Sequence, residues 1–259
     1  MIKFKILSAK ALLLNFLLLL TMQAIATECN LTVSKESKQE NSVAKSSYGN
    51  SLTLQSYALL EALIAKTSCT LELIPLPTQR AIKMLQTGSL SAMVGMSKTE
   101  MRESTYYFIG SYHKENIVVV GNFDMKDRVK NLNDILALEG GISVMGGAYY
   151  GAKWEQALKN DSRLAERLLY LSDNQRKFSM FLLDRIDFSL GDEQVVDELL
   201  KEQTYKKRYI KLFTLHENPV YFAFSKKAIS VTLYEQLTKE WLKMQMSGEV
   251  DIIKQKYQS

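Results

Sequence analysis

Apolar residues recur along this chain at two spacings, near 3.6 and near 2, and their alternation predicts its elements. Leu31–Ser34 reads as a short strand, and the polar stretch from Lys35 to Asn50 as a loop. Leu52, Leu59, Leu60, Leu63 and Ile64 fall on one side of a helix over Leu52–Lys66. Thr70–Ile74 is strand-like and is ended by Pro75 and Pro77. Gln79–Thr87 reads as a helix stopped by Gly88, and Ala92–Met96 as a strand. Strand, helix, strand, helix, strand argues for a parallel sheet with crossover connections.

The apolar run NIVVVG (Asn116–Gly121) leads into a second set. Gly141–Met145 is a strand, Gly147–Leu158 a turn entering a helix, and Leu168–Leu171 a strand. Gln175–Leu183 is a helix, Phe188–Leu190 a strand and Gln194–Lys201 a helix. Pro219–Ser225 is apolar and extended and can carry the chain back. A helix over Ser230–Met246 keeps Leu233, Leu237, Trp241 and Met244 on one side, Gly248 breaks it, and Val250–Tyr257 closes the chain. The predicted class is therefore α/β, with two lobes joined by two extended crossings that allow a hinge.

One segment occurs twice, 96 positions apart. QRAIKMLQTGSLSAMVGMS starts at Gln79-Arg80, and QRKFSMFLLDRIDFSLGDE starts at Gln175-Arg176. Gln, Arg, Met and Gly coincide at that offset, Met84 with Met180 and Gly95 with Gly191. Each copy reads as helix, tight connection and short strand. Ser97 and Arg102 come just past the first of these strands and Asp192 just past the second, so one unit offers a cation and the other an anion. That pairing points to a clamp for a small zwitterion.

The N-terminal segment predicts export from the cytoplasm. Lys3, Lys5 and Lys10 precede the apolar run Ala11–Leu20, and Ala24-Ile25-Ala26 supplies small residues for cleavage. This is the layout of a secretory signal peptide over residues 1–26, with an apolar run too short to span a bilayer. Glu28 before Cys29 does not suit lipidation, so a periplasmic protein without a lipid anchor is expected. Residues 1–26 hold three Lys and no acid, and without them the formal charge falls from +5 to about +2. No nucleic-acid partner is implied by so even a balance, and a monomer is expected. In an oxidising compartment the two cysteines, Cys29 and Cys69, each just before a predicted parallel strand, are expected to pair.

Each candidate site residue has a second reading. After Gly95, Ser97 and the turn starting near Thr99 can cradle an anion, and Arg102 can take both oxygens of a carboxylate. The same residues also suit a plain helix cap beside a surface Arg. Asp192 at the end of a strand suits an ammonium, or it caps the helix that follows. The Gly146–Gly151 stretch looks like a phosphate loop, but Trp154 follows Lys153 where a Ser or Thr would hold Mg²⁺, which rejects a nucleotide. Gly147, Ala148 and Tyr149 can instead turn N–H donors to a ligand carboxylate, with one of Tyr149 and Tyr150 packed. Arg80 either reaches the cleft or pairs with an acid, and Tyr48 in the polar loop can wall the cleft. Two histidines assemble no Ser/His/Asp or Cys/His set, so no catalytic residue, metal or cofactor is assigned. Asp187, Asp192 and Glu193 are acids able to do general acid–base work, but their spacing does not argue for it.

Taken in order, PLPTQRAIKMLQTGSLSAMVGMSKTEMRE, NIVVVG, GGISVMGG, DRIDFSLGDEQV, PVYFAFSKK and MSGEVDIIKQKY resemble the family 3 extracellular solute-binding proteins, the amino-acid-binding components of ABC importers. The resemblance implies a type II periplasmic-binding-protein fold with lobe one as residues 27–116 and 222–259 and lobe two as residues 117–221. It implies that Arg102, with Ser97 and the backbone near Gly95, binds a ligand carboxylate. Asp192 would take the α-ammonium, and the Gly147–Tyr149 turn would supply donors. The implied partner is a membrane permease. A signalling receptor, or dehydratase chemistry in the same cleft, is the alternative. Val94-Gly95 stands where the family often has small hydroxyl residues, and Gly147-Ala148-Tyr149 replaces its usual Gly-Thr-Thr-like turn. The charge-binding ends are thus kept while the pocket wall is altered.

Overall fold

Cys29 and Cys69 are joined by a disulfide. The strands that follow them, β1 (Asn30–Lys35) and β2 (Thr70–Pro75), run parallel in register from Asn30 opposite Thr70 to Lys35 opposite Pro75. The computed structural model describes residues 29–35, 50–183, 185–201 and 206–257. The expected signal segment 1–26 and Tyr48 lie outside the described residues.

Between β1 and β2 runs α1 (Asn50–Ile64), whose Leu59, Leu60, Leu63 and Ile64 are at most 2% exposed. Their spacing places them on the face that packs against Leu31 and Val33 of β1. Next comes α2 (Thr78–Thr87), entered from Pro77 in extended conformation. It stops where Gly88 takes a left-handed φ of 86° and returns its N–H to Leu85 O. Then follow β3 (Ala92–Ser97), the short α3 (Glu100–Thr105) and the 17-residue β4 (Tyr106–Asn122).

The rest of the chain is α4 (Leu132–Leu136), β5 (Ile142–Met145), α5 (Ala152–Asn160), α6 (Ser162–Glu166), β6 (Leu168–Leu171), α7 (Asn174–Leu182), β7 (Phe188–Asp192), α8 (Glu193–Leu200), β8 (Tyr209–Ser225), α9 (Val231–Met246) and α10 (Glu249–Gln255). One eight-stranded sheet orders them β2-β1-β3-β8-β4-β7-β5-β6. Its flanks are parallel, as the strand and helix alternation predicts, while β8 and β4 cross the middle antiparallel to their neighbours.

Both middle strands are longer than the apolar runs that announce them. β4 pairs with β8 from Tyr106 opposite Ser225 to Asn122 opposite Tyr209, and takes up β7 only from Ile117 onward. β8 takes up β3 only over Val220–Phe224. Pro219, which lacks an N–H, sits just before that second edge begins, where its cost to the ladder is least. Separate cores form on either side of this change. Leu31, Val33, Phe222, Phe224 and Trp241 belong to one, and Ile142, Val144, Trp154 and Phe188 to another.

Candidate functional site

The two copies of the repeated segment fold alike, as helix then strand: α2 into β3, and α7 into β7. In the sheet β3 and β7 are separated by β8 and β4. A cavity of about 250 Å³ opens where the ends of these strands meet the crossing, and Arg102, Asp192, Ser97, Gly95, Gly147, Ala148 and Tyr149 all line it. Arg80 is exposed and outside that lining. Thr78 and Ile82, a helical turn apart, take the cleft-facing side of α2, and Arg80 midway between them cannot share it. Tyr48 lies outside the described residues.

Gly95 sits where the pairing of β3 with β8 shifts, between Met93 and Met96, and has a φ of 71°. A bulge at this point leaves its N–H off the ladder, and the hydroxyl of Tyr112 accepts it at 2.5 Å. The cradle donor at Gly95 is therefore already used. Burial pushes the Tyr112 hydroxyl well above the usual phenol range, so it stays neutral in this role.

Arg102 is held from two directions. Its Nη1 donates to Ser97 O at 2.8 Å, and its Nη2 donates across the cleft to Gly147 O at 2.9 Å. Burial lowers the guanidinium from its ordinary value, with Tyr106, Glu155 and Glu115 opposing the shift. Thr99 caps α3 by accepting the Arg102 backbone N–H at 3.3 Å, so the cap reading also holds.

The Gly147 turn contributes differently from the expectation. Ala148 N–H is spent on Met145 O at 3.2 Å, and the Gly147 carbonyl accepts from Arg102. Among the described residues the N–H groups of Gly147 and Tyr149 are without partners and remain as donors. Tyr150 is the packed member of the tyrosine pair: it is 5% exposed, its hydroxyl accepts Met145 N–H at 2.7 Å, and its ring meets Trp154. Tyr149 stands edge-on to His216.

Asp192 is the cap of the helix that follows and also meets a histidine across the strand pair. Oδ1 accepts Gln194 N–H at 2.8 Å as the cap of α8, while Oδ2 meets His113 Nε2 at 3.1 Å, with both side chains about nine-tenths buried. The other acids named with it are structural. Asp187 accepts Gly141 N–H at 2.8 Å, and Glu193 is tied to Lys211 at 2.8 Å and Asn116 at 3.0 Å.

Three ionisable cleft residues, His113, Glu115 and Lys177, escaped sequence reasoning. His113, Glu115 and Ile117 alternate along β4 and all face the cavity, as the period of two requires. Lys114 between them is exposed and pairs with Glu217. Burial first, and then the nearby Asp192 charge, push the Glu115 carboxyl up to about 7. The third is Lys177 on α7, 2% exposed, whose Nζ donates to Leu190 O at 2.6 Å and lies 4.9 Å from the Phe178 ring centre. An HxExI alternation was the available signal for the first two. Lys177 carried none beyond following the repeated Gln-Arg pair. Among the described residues no group of three His, Cys, Asp or Glu side chains is placed to hold a metal ion.

Solved structures share this architecture. An ancestral arginine-binding protein bound to arginine is 21% identical, with a TM-score of 0.69 over 89% of this chain and 98% of that one. A mutant of ArgBP from T. maritima is 15% identical, with a TM-score of 0.69 over 88% and 94%. The ancestral amino acid-binding protein AncCDT-1, a precursor of cyclohexadienyl dehydratase, is 20% identical, with a TM-score of 0.66 over 89% and 95%. Among curated proteins none matches at a significant level. At these identities the likeness establishes the fold, of the type II periplasmic-binding-protein kind. The sequence profile of one family matches residues 55–259, most of the chain, and on that basis this protein belongs to the bacterial extracellular solute-binding proteins, family 3.

Proposed function

We propose that this protein captures a small zwitterionic solute, an α-amino acid first among candidates, and delivers it in the periplasm to the permease of an ABC importer. The observation that carries the reading is that Arg102 and Asp192, reached from strands separated by two others, line one cavity. Arg102, with the free N–H groups of Gly147 and Tyr149, suits a carboxylate, and Asp192 suits an ammonium. The space of about 250 Å³ is on the scale of one small solute. Solved relatives with arginine or glutamine bound support the ligand class.

The lobes are taken as residues 27–116 with 222–259, and residues 117–221. The exchange of strand partners supports this division: β4 gains β7 at Ile117, and β8 gains β3 at Val220. Direct contacts across the cleft support closure by hinge motion. Besides Arg102 to Gly147 O, Thr78 Oγ1 donates to Ser172 O at 3.4 Å. A β-carbon added at Gly147 would meet Ile82 at 2.5 Å.

Arg102→Ala is expected to weaken a carboxylate ligand by at least about 2 kcal/mol in calorimetry, with little change in the ligand-free melting temperature. Equal affinity in the variant contradicts the carboxylate assignment. A second reading, dehydratase-type turnover in the same cleft, draws on Glu115, an acid held near neutrality where a proton donor would be needed. Recovery of every bound ligand chemically unchanged after long incubation excludes it.

A further inference from the structure

Two acids sharing a poorly hydrated cleft repel each other until a cation comes between them. Glu115 and Asp192 are such a pair, on the neighbouring strands β4 and β7 and lining the same cavity. Glu115 is weakly satisfied by the protein. Its Oε2 receives Asn218 Nδ2 at 3.4 Å, and that same nitrogen also donates to Pro219 O at 3.2 Å. Asn218 Oδ1 is buried without a partner.

The charged groups whose fields reach Glu115 are His113 on its own strand, Asp192 at the end of β7, Lys177 on α7 and Arg102 on α3, while β8 beside it presents the uncharged Asn218. The hydroxyls of Tyr112 and Tyr150 also feel its charge. His113 is engaged by Asp192, Arg102 by two carbonyls, and Lys177 by Leu190 O.

We propose that Glu115 is a second acid that grips the ligand's ammonium together with Asp192, so that the cleft selects amines over plain carboxylic acids and releases a proton as it fills. The proposal rests on the amino-acid reading above and adds a residue and a proton to it. In the ligand-free cleft Glu115 keeps its proton up to about pH 7, because burial and Asp192 disfavour the charge. A protonated carboxyl needs no cation beside it, and its unprotonated oxygen can still accept from Asn218 Nδ2. An arriving ammonium reverses the preference. Glu115 ionises, its proton goes to solvent, and both carboxylates accept from the cation.

The sign follows by linkage. The empty cleft binds this proton more tightly than the filled one, so affinity rises with pH up to about 7 and then levels. Between pH 6 and pH 8 the gain is about tenfold, and filling at pH 6 releases about one proton.

The test uses the tightest binder among the twenty proteinogenic L-amino acids, measured by titration calorimetry on wild type and Glu115→Gln at pH 6 and pH 8. Two buffers of different ionisation enthalpy at pH 6 give the proton count. Wild type is expected to bind about tenfold tighter at pH 8 and to release about one proton at pH 6. Glu115→Gln is expected to bind at least about tenfold more weakly at pH 8, with the pH dependence gone. Wild-type affinity and pH dependence in Glu115→Gln overturns the proposal, and so does a wild-type proton count of zero. If Glu115→Gln does not fold, the wild-type proton count decides alone. Silence of wild type across the whole panel removes the amino-acid reading, and this inference with it. Binding without the Glu115 effects removes the inference only.

Discussion

Glu115, proposed above to bind the ligand, costs the folded protein stability at neutral pH. Because burial raises its carboxyl to about 7, the folded protein holds this proton more tightly than the unfolded chain. The stability tied to it is complete below about pH 4.5, declines as pH rises toward 7, and stays lost above that. Glu115→Gln carries no such penalty. Without ligand it should therefore be more stable than wild type by about 3 kcal/mol at most at pH 8, and by less than about 1 kcal/mol at pH 5. Denaturant unfolding at the two values checks this, and an equal difference at both contradicts it. Arg102 is the complementary case: burial lowers its pKa, yet a guanidinium keeps its charge at any physiological pH, so its role carries no pH dependence of its own.

Among the elements, the flanking strands and helices were legible because their apolar spacing is regular. α1, α2, β5, β6 and α9 lie within a few residues of where periodicity places them. The two crossing strands were half legible. NIVVVG marks the end of β4, but Tyr106–Glu115 mixes aromatics, Gly110 and charges, because it lines a cleft and carries a shift of pairing between Ile109 and His113. Once those residues are known to be strand, alternation alone turns His113 and Glu115 inward. The place of Arg102, Ser97, Asp192 and the Gly147 turn at the cavity was legible because each ends or comes soon after a recognisable strand. Arg80 was not separable from them until the facing of α2 was known. At the contact across the cavity, Gly147 combines a φ of 83° with an added β-carbon's clash on Ile82. Gly147→Ala should weaken ligand binding by about 1–2 kcal/mol and favour the open form. Ligand titration with small-angle scattering checks both, and unaltered affinity contradicts the closure contact.

At the scale of the whole molecule, the disulfide and the cleft act at separate places. The bond between Cys29 and Cys69 closes 40 residues at the edge of the sheet, where β1 and β2 begin. Constraining that loop is worth up to about 4 kcal/mol in the chain-entropy model. Reduction should lower the denaturation midpoint and leave ligand affinity in the folded protein within about twofold, since neither sulfur lies in the cavity lining. Native thiols that alkylate without reductant contradict the pairing. Among the described residues no helix is long and apolar enough to cross a membrane.

Capture of a zwitterion, as proposed, requires cation and anion to be presented together, from either side of the cavity, to a single solute. Calorimetric titration with the best amino-acid ligand, its carboxamide and its deaminated acid addresses that most directly. Both edited ligands should bind more weakly by about 2 kcal/mol or more, roughly thirtyfold, each having lost one charged end. A deaminated acid or a carboxamide that binds as tightly as the parent would show that the charges at Asp192 or Arg102 are not what holds the solute.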